Sequence, residues 1–330
     1  MLRLTGKKTG SIGTLGMRLD QQPIETRNTT PDCLALHRQL HRWRADGVEC
    51  VTLEASSHAL DQGRLDGLEI DVGMFTNLSR DHLDYHRSMA EYCTAKLRLF
   101  RDFAPATRIY NADDMAVVEH RDVWRSDSFG VSDNKASAAV QFEISQTAPL
   151  TVRLRTPWGE GSLQTSLSGQ FNAFNIVAAL TAVLSLGVPF AEALGAAEAV
   201  RPVLGRLQSI GADADIRVVI DYAHTPDALE RAIRALAEAQ NGGQIWVLFG
   251  CGGDRDRGKR AEMGAVACRF ADRVVVTSDN PRSEAPEAII SDILCGCEAG
   301  SPVIEADRAA SIALAVSEAN VGATVLIAGK

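Results

Sequence analysis

Val51-Thr-Leu-Glu-Ala-Ser-Ser-His58 reads as a short strand that ends on an acidic residue and opens into a small polar loop. Phe75-Thr-Asn-Leu-Ser-Arg-Asp-His-Leu-Asp84 repeats the arrangement at the end of a second strand, expected on the same side of the same sheet. Apolar, β-branched runs of this kind, bounded by turn residues and separated by helical patterns, predict parallel α/β structure. Working outward, strands are predicted at Ser11–Leu15, Val51–Ser56, Val72–Asn77 and Arg108–Asn111, with helices at about Pro31–Ala45 and Ser88–Phe103. Asp32 suits an early-turn acid and Asp46-Gly47 a helix stop.

From Asp127 to Ser168 the pattern changes to short alternating segments, including Thr151-Val-Arg-Leu-Arg and Gly161-Ser-Leu-Gln-Thr-Ser-Leu. These predict a small antiparallel patch appended to the mostly parallel sheet. Helices follow at Phe171–Leu186 and Ala191–Val200. Arg201-Pro-Val-Leu-Gly-Arg206, punctuated by Pro and Gly, is the expected linker, dividing the chain into domains at 1–200 and 201–330. The second domain has strands predicted at Arg217–Asp221, Gln244–Phe249, Arg273–Ser278, Pro302–Glu305 and Thr324–Ala328. That series predicts a small, doubly wound, Rossmann-like domain with ligands beyond the carboxyl ends of its strands.

At 330 residues the chain suits two domains rather than one core. A net charge of -8 favours neither nucleic acid nor an anionic membrane surface as partner, so basic residues of functional interest act locally. No apolar run approaches the roughly 18 residues of a membrane span, and the first residues do not form a signal peptide. Seven scattered cysteines in such a chain predict a reduced, cytoplasmic protein. Cys295-Gly-Cys297 has the spacing of neither a zinc knuckle nor a redox pair.

Several segments carry candidate chemistry, each with a plainer alternative. Glu54, at a strand end, suits a magnesium ligand or a simple cap. His82 suits a metal ligand or phosphate contact, although a lone histidine is more often structural. Lys96, among Ala95, Leu97 and Leu99, is on its face a solvated lysine. It joins a magnesium site only if CO2 first converts its amine to a carbamate. In Asp221-Tyr-Ala-His-Thr-Pro-Asp-Ala-Leu229, Asp221 and His224 suit nucleotide contacts or a capped turn leading into a helix started by Pro226. Phe249-Gly-Cys-Gly-Gly-Asp-Arg-Asp-Arg-Gly-Lys-Arg260 places glycines after a strand, where backbone N–H groups would approach an anion; it is neither GxxxxGK[ST] nor GxGxxG. Arg282, in Asp279-Asn-Pro-Arg282, and Arg255 should emerge on one edge, where two guanidinium groups suit the carboxylates of a small substrate.

Taken in order, Glu54-Ala-Ser-Ser-His58, Thr76-Asn-Leu-Ser-Arg-Asp-His-Leu-Asp-Tyr-His86, Asp221-Tyr-Ala-His-Thr-Pro-Asp227, Gly250-Cys-Gly-Gly-Asp-Arg255 and Asp279-Asn-Pro-Arg282 closely resemble the Mur ligases of peptidoglycan synthesis. The resemblance covers nearly the whole chain and is nearest the type that adds meso-diaminopimelate to UDP-MurNAc-L-Ala-D-Glu. It implies a central ATPase-type domain followed by a Rossmann-like C-terminal domain. It also implies ATP and Mg2+, with the substrate carboxylate phosphorylated by ATP and the acyl phosphate attacked by the amine. By the same resemblance Glu54 holds the ATP-linked Mg2+, and His82 and carbamylated Lys96 hold a second Mg2+ near the acyl phosphate. Thr29, Thr30, Ser56, Gln62 and Arg64 bind the UDP-sugar peptide, and Asn175, Arg206, Asp221 and His224 contact ATP. Arg255, Asp279, Asn280, Pro281, Arg282 and Gly329 hold the amino acid. The arginine of Asp279-Asn-Pro-Arg282 suits the extra carboxylate of diaminopimelate, which lysine lacks.

Members of that family carry a uridine-binding domain and a GTNGKT-type phosphate loop ahead of the segment matching Ser11–Leu15. They continue beyond the segment matching Gly329-Lys330 with Gly-His-Glu. None of these lies within the 330 residues. The expectation is a stretch truncated at both ends, without its phosphate cradle and inactive on its own. Loss of such preorganised contacts costs on the order of a thousandfold in rate. The alternatives are a non-catalytic remnant that retains ligand binding, or a related Mur or folylpolyglutamate ligase.

Overall fold

The computed structural model describes residues 1–19, 22–147, 149–211, 215–240, 242–298 and 300–329; Lys330 of the predicted chain end lies outside them. The first part of the chain forms two sheets rather than the single one expected. One has four strands in the order Gln22–Ile24, Gly16–Leu19, Thr9–Gly13, Cys50–Leu53. The other has six, in the order Gly159–Thr165, Leu150–Thr156, Val140–Thr147, Phe129–Ser132, Thr107–Asn111, Val72–Phe75. The strands that end at Glu54 and before Thr76 therefore lie at the edges of different sheets. Among the described residues, Cys50–Leu53 pairs only with Thr9–Gly13, and Val72–Phe75 only with Thr107–Asn111.

The hairpin Thr9–Gly13/Gly16–Leu19 was also absent from the sequence reading, which ran one strand through Leu15. Gly13 pairs with Gly16 across the two-residue loop Thr14-Leu15. Gly16 adopts φ +84, and a Cβ there would stand 2.6 Å from the Ile24 carbonyl oxygen, so glycine is what lets the chain turn. The helix Cys33–Ala45 closes this sheet. Asp32 is its N-cap, accepting from the Ala35 N–H, and Trp43 packs with Ile12, Met17 and Leu36.

The six-stranded sheet follows the pattern predicted from sequence. Its strands from Val72–Phe75 to Val140–Thr147 pair in parallel, and the last three pair antiparallel. The helix Gln170–Ser185 covers it, burying Ile176, Val177, Leu180 and Leu184 against Ile109, Val131, Val152 and Leu163. On another flank the helix Met89–Arg101 buries Cys93, Leu97 and Phe100 against Phe75. It is capped by Ser88, whose hydroxyl accepts from the Glu91 N–H.

The C-terminal part is a six-stranded sheet in the order Gln208–Ile210, Arg217–Asp221, Thr324–Ala328, Ile245–Phe249, Arg273–Val276, Val303–Ile304. All pairings are parallel except the first. The central strands Ile245–Phe249 and Thr324–Ala328 are buried along their whole length, as a sheet covered on both faces requires. The carboxyl ends of the parallel strands Arg217–Asp221, Ile245–Phe249, Arg273–Val276 and Thr324–Ala328 lead to His224, Arg255, Asp279 and Gly329 in turn, on one edge of the sheet.

Candidate functional site

Around Glu54 the structure assembles one connected polar network. The Thr30 hydroxyl donates to the Glu54 carbonyl at 2.7 Å and lies 3.2 Å from the Ser56 hydroxyl. Arg64 donates to the Thr30 carbonyl at 2.8 Å and to the Gln62 side-chain oxygen at 2.9 Å. Gln62 in turn donates to the Tyr85 hydroxyl. Thr29 lies 3.4 Å from Thr14, whose hydroxyl donates to Glu54 Oε2 at 2.7 Å. Thr29, Thr30, Ser56, Gln62 and Arg64 thus converge around the strand-end acid. Gly13 makes the room: a Cβ there would stand 2.4 Å from Glu54 Oε1.

The second focus is the Asp81 carboxylate. It lies 3.5 Å from His82 Nε2, 3.3 Å from His224 Nε2 and 3.6 Å from Lys259 Nζ. Burial alone would raise the Asp81 pKa. The hydrogen bond from His224 and the charges of His82 and Lys259 outweigh it and hold the carboxyl well below its usual range. His82 sits at φ +56, a left-handed conformation uncommon for a side chain of this bulk. Its pKa is lowered, chiefly by burial.

Lys96 is not the solvated lysine its helical context suggests. Its ammonium lies 5.0 Å from the Tyr92 ring centre and 5.8 Å from that of Phe75, and it has no ion pair among the described residues. Burial pushes its pKa down, favouring the neutral amine that reacts with CO2. His82 meets the same Tyr92 ring at 5.8 Å, so Tyr92 is common ground for the histidine and the lysine. Among the described residues no three His, Cys, Asp or Glu side chains gather to hold a metal by themselves. Magnesium is commonly held through one or two protein carboxylates, with water and phosphate oxygens completing six positions. One free oxygen of Glu54 and a carbamate on Lys96 fit that habit.

On the C-terminal edge, the Asp221 carboxylate accepts from the Leu207 and Ala223 N–H groups, both at 2.8 Å. His224 Nδ1 faces the Tyr222 carbonyl at 3.0 Å, and Arg206 lies 4.5 Å over the Tyr222 ring. Asn175 stands apart on the helix Gln170–Ser185, donating to Asn172, a residue the sequence reading passed over.

The glycines of Gly250-Cys-Gly-Gly253 are needed for close approach of protein backbone. A Cβ on Gly250 would lie 2.4 Å from the Thr277 carbonyl oxygen, and one on Gly253 1.9 Å from that of Pro281. The Gly253 N–H goes to the Asn280 carbonyl. These glycines let two backbone loops touch, bringing Arg255 beside Asp279-Asn-Pro-Arg282. Arg282, at φ +51, donates to the Gly253 carbonyl at 2.6 Å, and Arg255 lies 3.5 Å from Asp84. Asp279 accepts from the Asn280 N–H. A Cβ on Gly329 would lie 3.6 Å from the Asp279 carboxylate, so the end of the last strand joins the same group. Sequence reasoning also missed Arg80, Asp81, Lys259 and Arg308. Arg308 donates to the Ala328 carbonyl at 2.8 Å beside Asp279 and Gly329. The basic run Arg255 to Arg260 signalled Lys259; nothing local singled out Arg308.

Comparison with known proteins gives a consistent picture. The Mur ligase middle domain matches residues 1–183, and the Mur ligase glutamate ligase domain matches 205–330. A Chromobacterium violaceum protein named UDP-N-acetylmuramoyl-L-alanyl-D-glutamate--2,6-diaminopimelate ligase is 43% identical over 99% of this chain and 67% of its own length. The Coxiella burnetii protein of the same name is 41% identical over 100% and 69%. A solved structure of a ligase of that name is 34% identical and superposes with a TM-score of 0.67 over 99% of this chain and 69% of its own. Mycobacterium tuberculosis folylpolyglutamate synthase, solved with ADP and AMPPCP, shares only the fold, at 18% identity and TM-score 0.75 over 100% and 84%. The chain spans about two thirds of the curated relatives it matches. No helix among the described residues is long and apolar enough to cross a membrane.

Proposed function

The chain belongs to the Mur ligase family, and we propose that it serves the ATP- and Mg2+-dependent addition of meso-diaminopimelate to UDP-MurNAc-L-Ala-D-Glu in the cytoplasm. The observation that carries this reading is the meeting of two loop systems. Arg255 and Arg282 lie on the C-terminal edge, and Arg255 reaches Asp84 in the same loop as His82. A site that ligates an amine to an activated carboxylate needs this juxtaposition: amino-acid recognition on one side, phosphate and metal chemistry on the other. Eight relatives at 38–43% identity carry the ligase name, which does not favour a remnant that only binds ligands.

In this reading the Thr30, Ser56, Gln62 and Arg64 network orients the UDP-sugar peptide, and Arg206, Asp221, His224 and Asn175 contact ATP. Lys96, without an ion pair among the described residues, gives up its ammonium proton; the neutral amine forms an N–C bond to CO2 and releases a second proton, giving a carbamate beside His82. Glu54 would hold one Mg2+, and His82 with that carbamate a second; when bound, they neutralise charge on the transferring phosphoryl group. A carboxylate oxygen of the D-glutamate end attacks the γ-phosphorus and ADP leaves. Arg255 and Arg282 grip the diaminopimelate carboxylates, with Asp279, Asn280, Pro281 and Gly329 shaping the pocket. The amine then attacks the acyl carbon, and phosphate departs with one oxygen from the carboxylate. L-Lysine offers no second carboxylate to Arg282, which favours diaminopimelate.

The test completes these 330 residues with the parts of the Chromobacterium violaceum relative that lie outside the 67% of its length they match. Phosphate release should then require ATP, Mg2+, UDP-MurNAc-L-Ala-D-Glu and meso-diaminopimelate together. Equal turnover with L-lysine in place of diaminopimelate would remove the substrate assignment.

A further inference from the structure

Among the described residues, every ion pair between residues before 201 and residues after it involves Arg80, Asp81 or Asp84. Asp81 and Asp84 lie within the site itself. Arg80 makes the best-formed of these contacts. Its Nε donates to Asp256 Oδ2 at 2.9 Å, its Nη2 to Asp256 Oδ1 at 3.2 Å, and its Nη1 to Glu262 at 2.9 Å. This two-pronged Arg–carboxylate geometry is the stronger, more directional kind of ion pair. The Asp256 side chain is only 8% exposed, unlike the carboxylate of an ordinary surface pair. Asp256 is itself fixed, since its Oδ1 also accepts from the Gly258 N–H at 2.9 Å.

Gly258 completes the socket. It is the first residue of the helix Gly258–Phe270, and a Cβ there would stand 2.1 Å from Arg80 Nη2. The guanidinium thus occupies the space that any larger residue would fill. Arg80 is two residues from His82, and Asp256 directly follows Arg255. A contact at this point sets the spacing between the metal-side histidine and the amino-acid-side arginine.

We propose that Arg80 is a positioning residue, a latch that seats in the Asp256–Gly258–Glu262 socket and holds the two parts of the chain in one orientation. The latch is independent of which substrates the site takes, because it rests on contacts outside the binding groups.

The experiment is small-angle X-ray scattering on the 330-residue chain and on the Arg80→Ala, Gly258→Ala, double and Arg80→Lys variants. Both single variants should raise the radius of gyration by at least about 1 Å over a compact value of about 20 Å. The double variant should match either single one, since both remove the same contact. Arg80→Lys, keeping one contact, should fall between wild type and Arg80→Ala. Hydrogen exchange should rise in residues 254–262 and stay unchanged in the core strand 324–328. Gly258→Ala keeps every charged group and places alanine in a helix, where it is favoured. It therefore carries the test even if Arg80→Ala folds poorly. Scattering curves superimposable on wild type for Gly258→Ala, or additive effects in the double variant, would overturn the proposal.

Discussion

Asp81 Oδ2 lies 3.3 Å from His224 Nε2, so one carboxylate ties the loop after Val72–Phe75 to the loop after Arg217–Asp221. The same carboxylate is 3.5 Å from His82 and 3.6 Å from Lys259. Asp81 thus orients His82, the proposed metal ligand, together with His224 and Lys259. Asp81→Asn keeps the shape and removes the charge. Groups that orient a metal ligand typically contribute 10–100-fold to affinity or activity, and a loss of about that size is expected in the Mg2+ dependence of turnover. Titration of activity against Mg2+ checks it, and an unchanged half-saturation point would count against the role.

Lys96 should carry a carbamate when CO2 is available. With 13C-labelled bicarbonate, a carbamate carbon signal is expected in the protein and should be absent from Lys96→Arg. Because burial lowers the amine's pKa, the neutral form that reacts is available at lower pH than for an exposed lysine. The same signal in Lys96→Arg would assign the carbamate elsewhere.

Gly13→Ala tests the space around Glu54. Its Cβ would stand 2.4 Å from Glu54 Oε1, so the carboxylate must move while the strand can remain. The expected result is weakened Mg2+ dependence with a melting temperature little changed from wild type. A large fall in melting temperature with normal metal dependence would show that Gly13 acts in packing alone.

Arg282→Ala should reduce kcat/KM for diaminopimelate by about 10- to 100-fold, the size expected for losing a hydrogen-bonded charge contact. The KM for ATP should stay within about twofold, because Arg282 contacts the Gly253 loop rather than the Asp221 loop. Parallel losses for both substrates would contradict the assignment.

The C-terminal part should show an acid-sensitive component of stability. Hydrogen bonding from Arg260 holds the Glu284 carboxyl down at about 2, below its ordinary value of 4.5. A carboxyl whose folded value is lowered stabilises the fold above its unfolded value, and the contribution is lost as pH falls through the folded one. Wild type should therefore melt higher than Glu284→Gln at pH 7, with the gap closing between about pH 4.5 and pH 2. A gap that persists at pH 2 would place the role of Glu284 in packing rather than charge.

Much of this was legible in the sequence. Strand-end loops after Arg217–Asp221, Ile245–Phe249, Arg273–Val276 and Thr324–Ala328 followed from periodicity, and their convergence follows from parallel pairing. The division of the first part into two sheets did not follow, because local pattern specifies a strand and not its partner. Nor did the reason for one glycine follow: Gly253 is required by the Pro281 carbonyl, a neighbour far along the chain. Lys96 looked solvated on its helix; Phe75, from a strand outside its local pattern, joins Tyr92 one turn back on the same helix to enclose it. The Arg80 socket joins residues 176 and 182 positions apart, which no local motif announces.

The most direct test of the central claim is oxygen transfer. The ligase completed with the unmatched parts of the Chromobacterium violaceum relative is supplied with UDP-MurNAc-L-Ala-D-Glu labelled with 18O in the terminal D-glutamate carboxylate, together with ATP, Mg2+ and meso-diaminopimelate. Attack of that carboxylate on the γ-phosphorus, followed by displacement by the amine, predicts one 18O atom in each inorganic phosphate released and in step with tripeptide formed. Unlabelled phosphate, or phosphate released without tripeptide, would mean that water takes the phosphoryl group and would contradict the account.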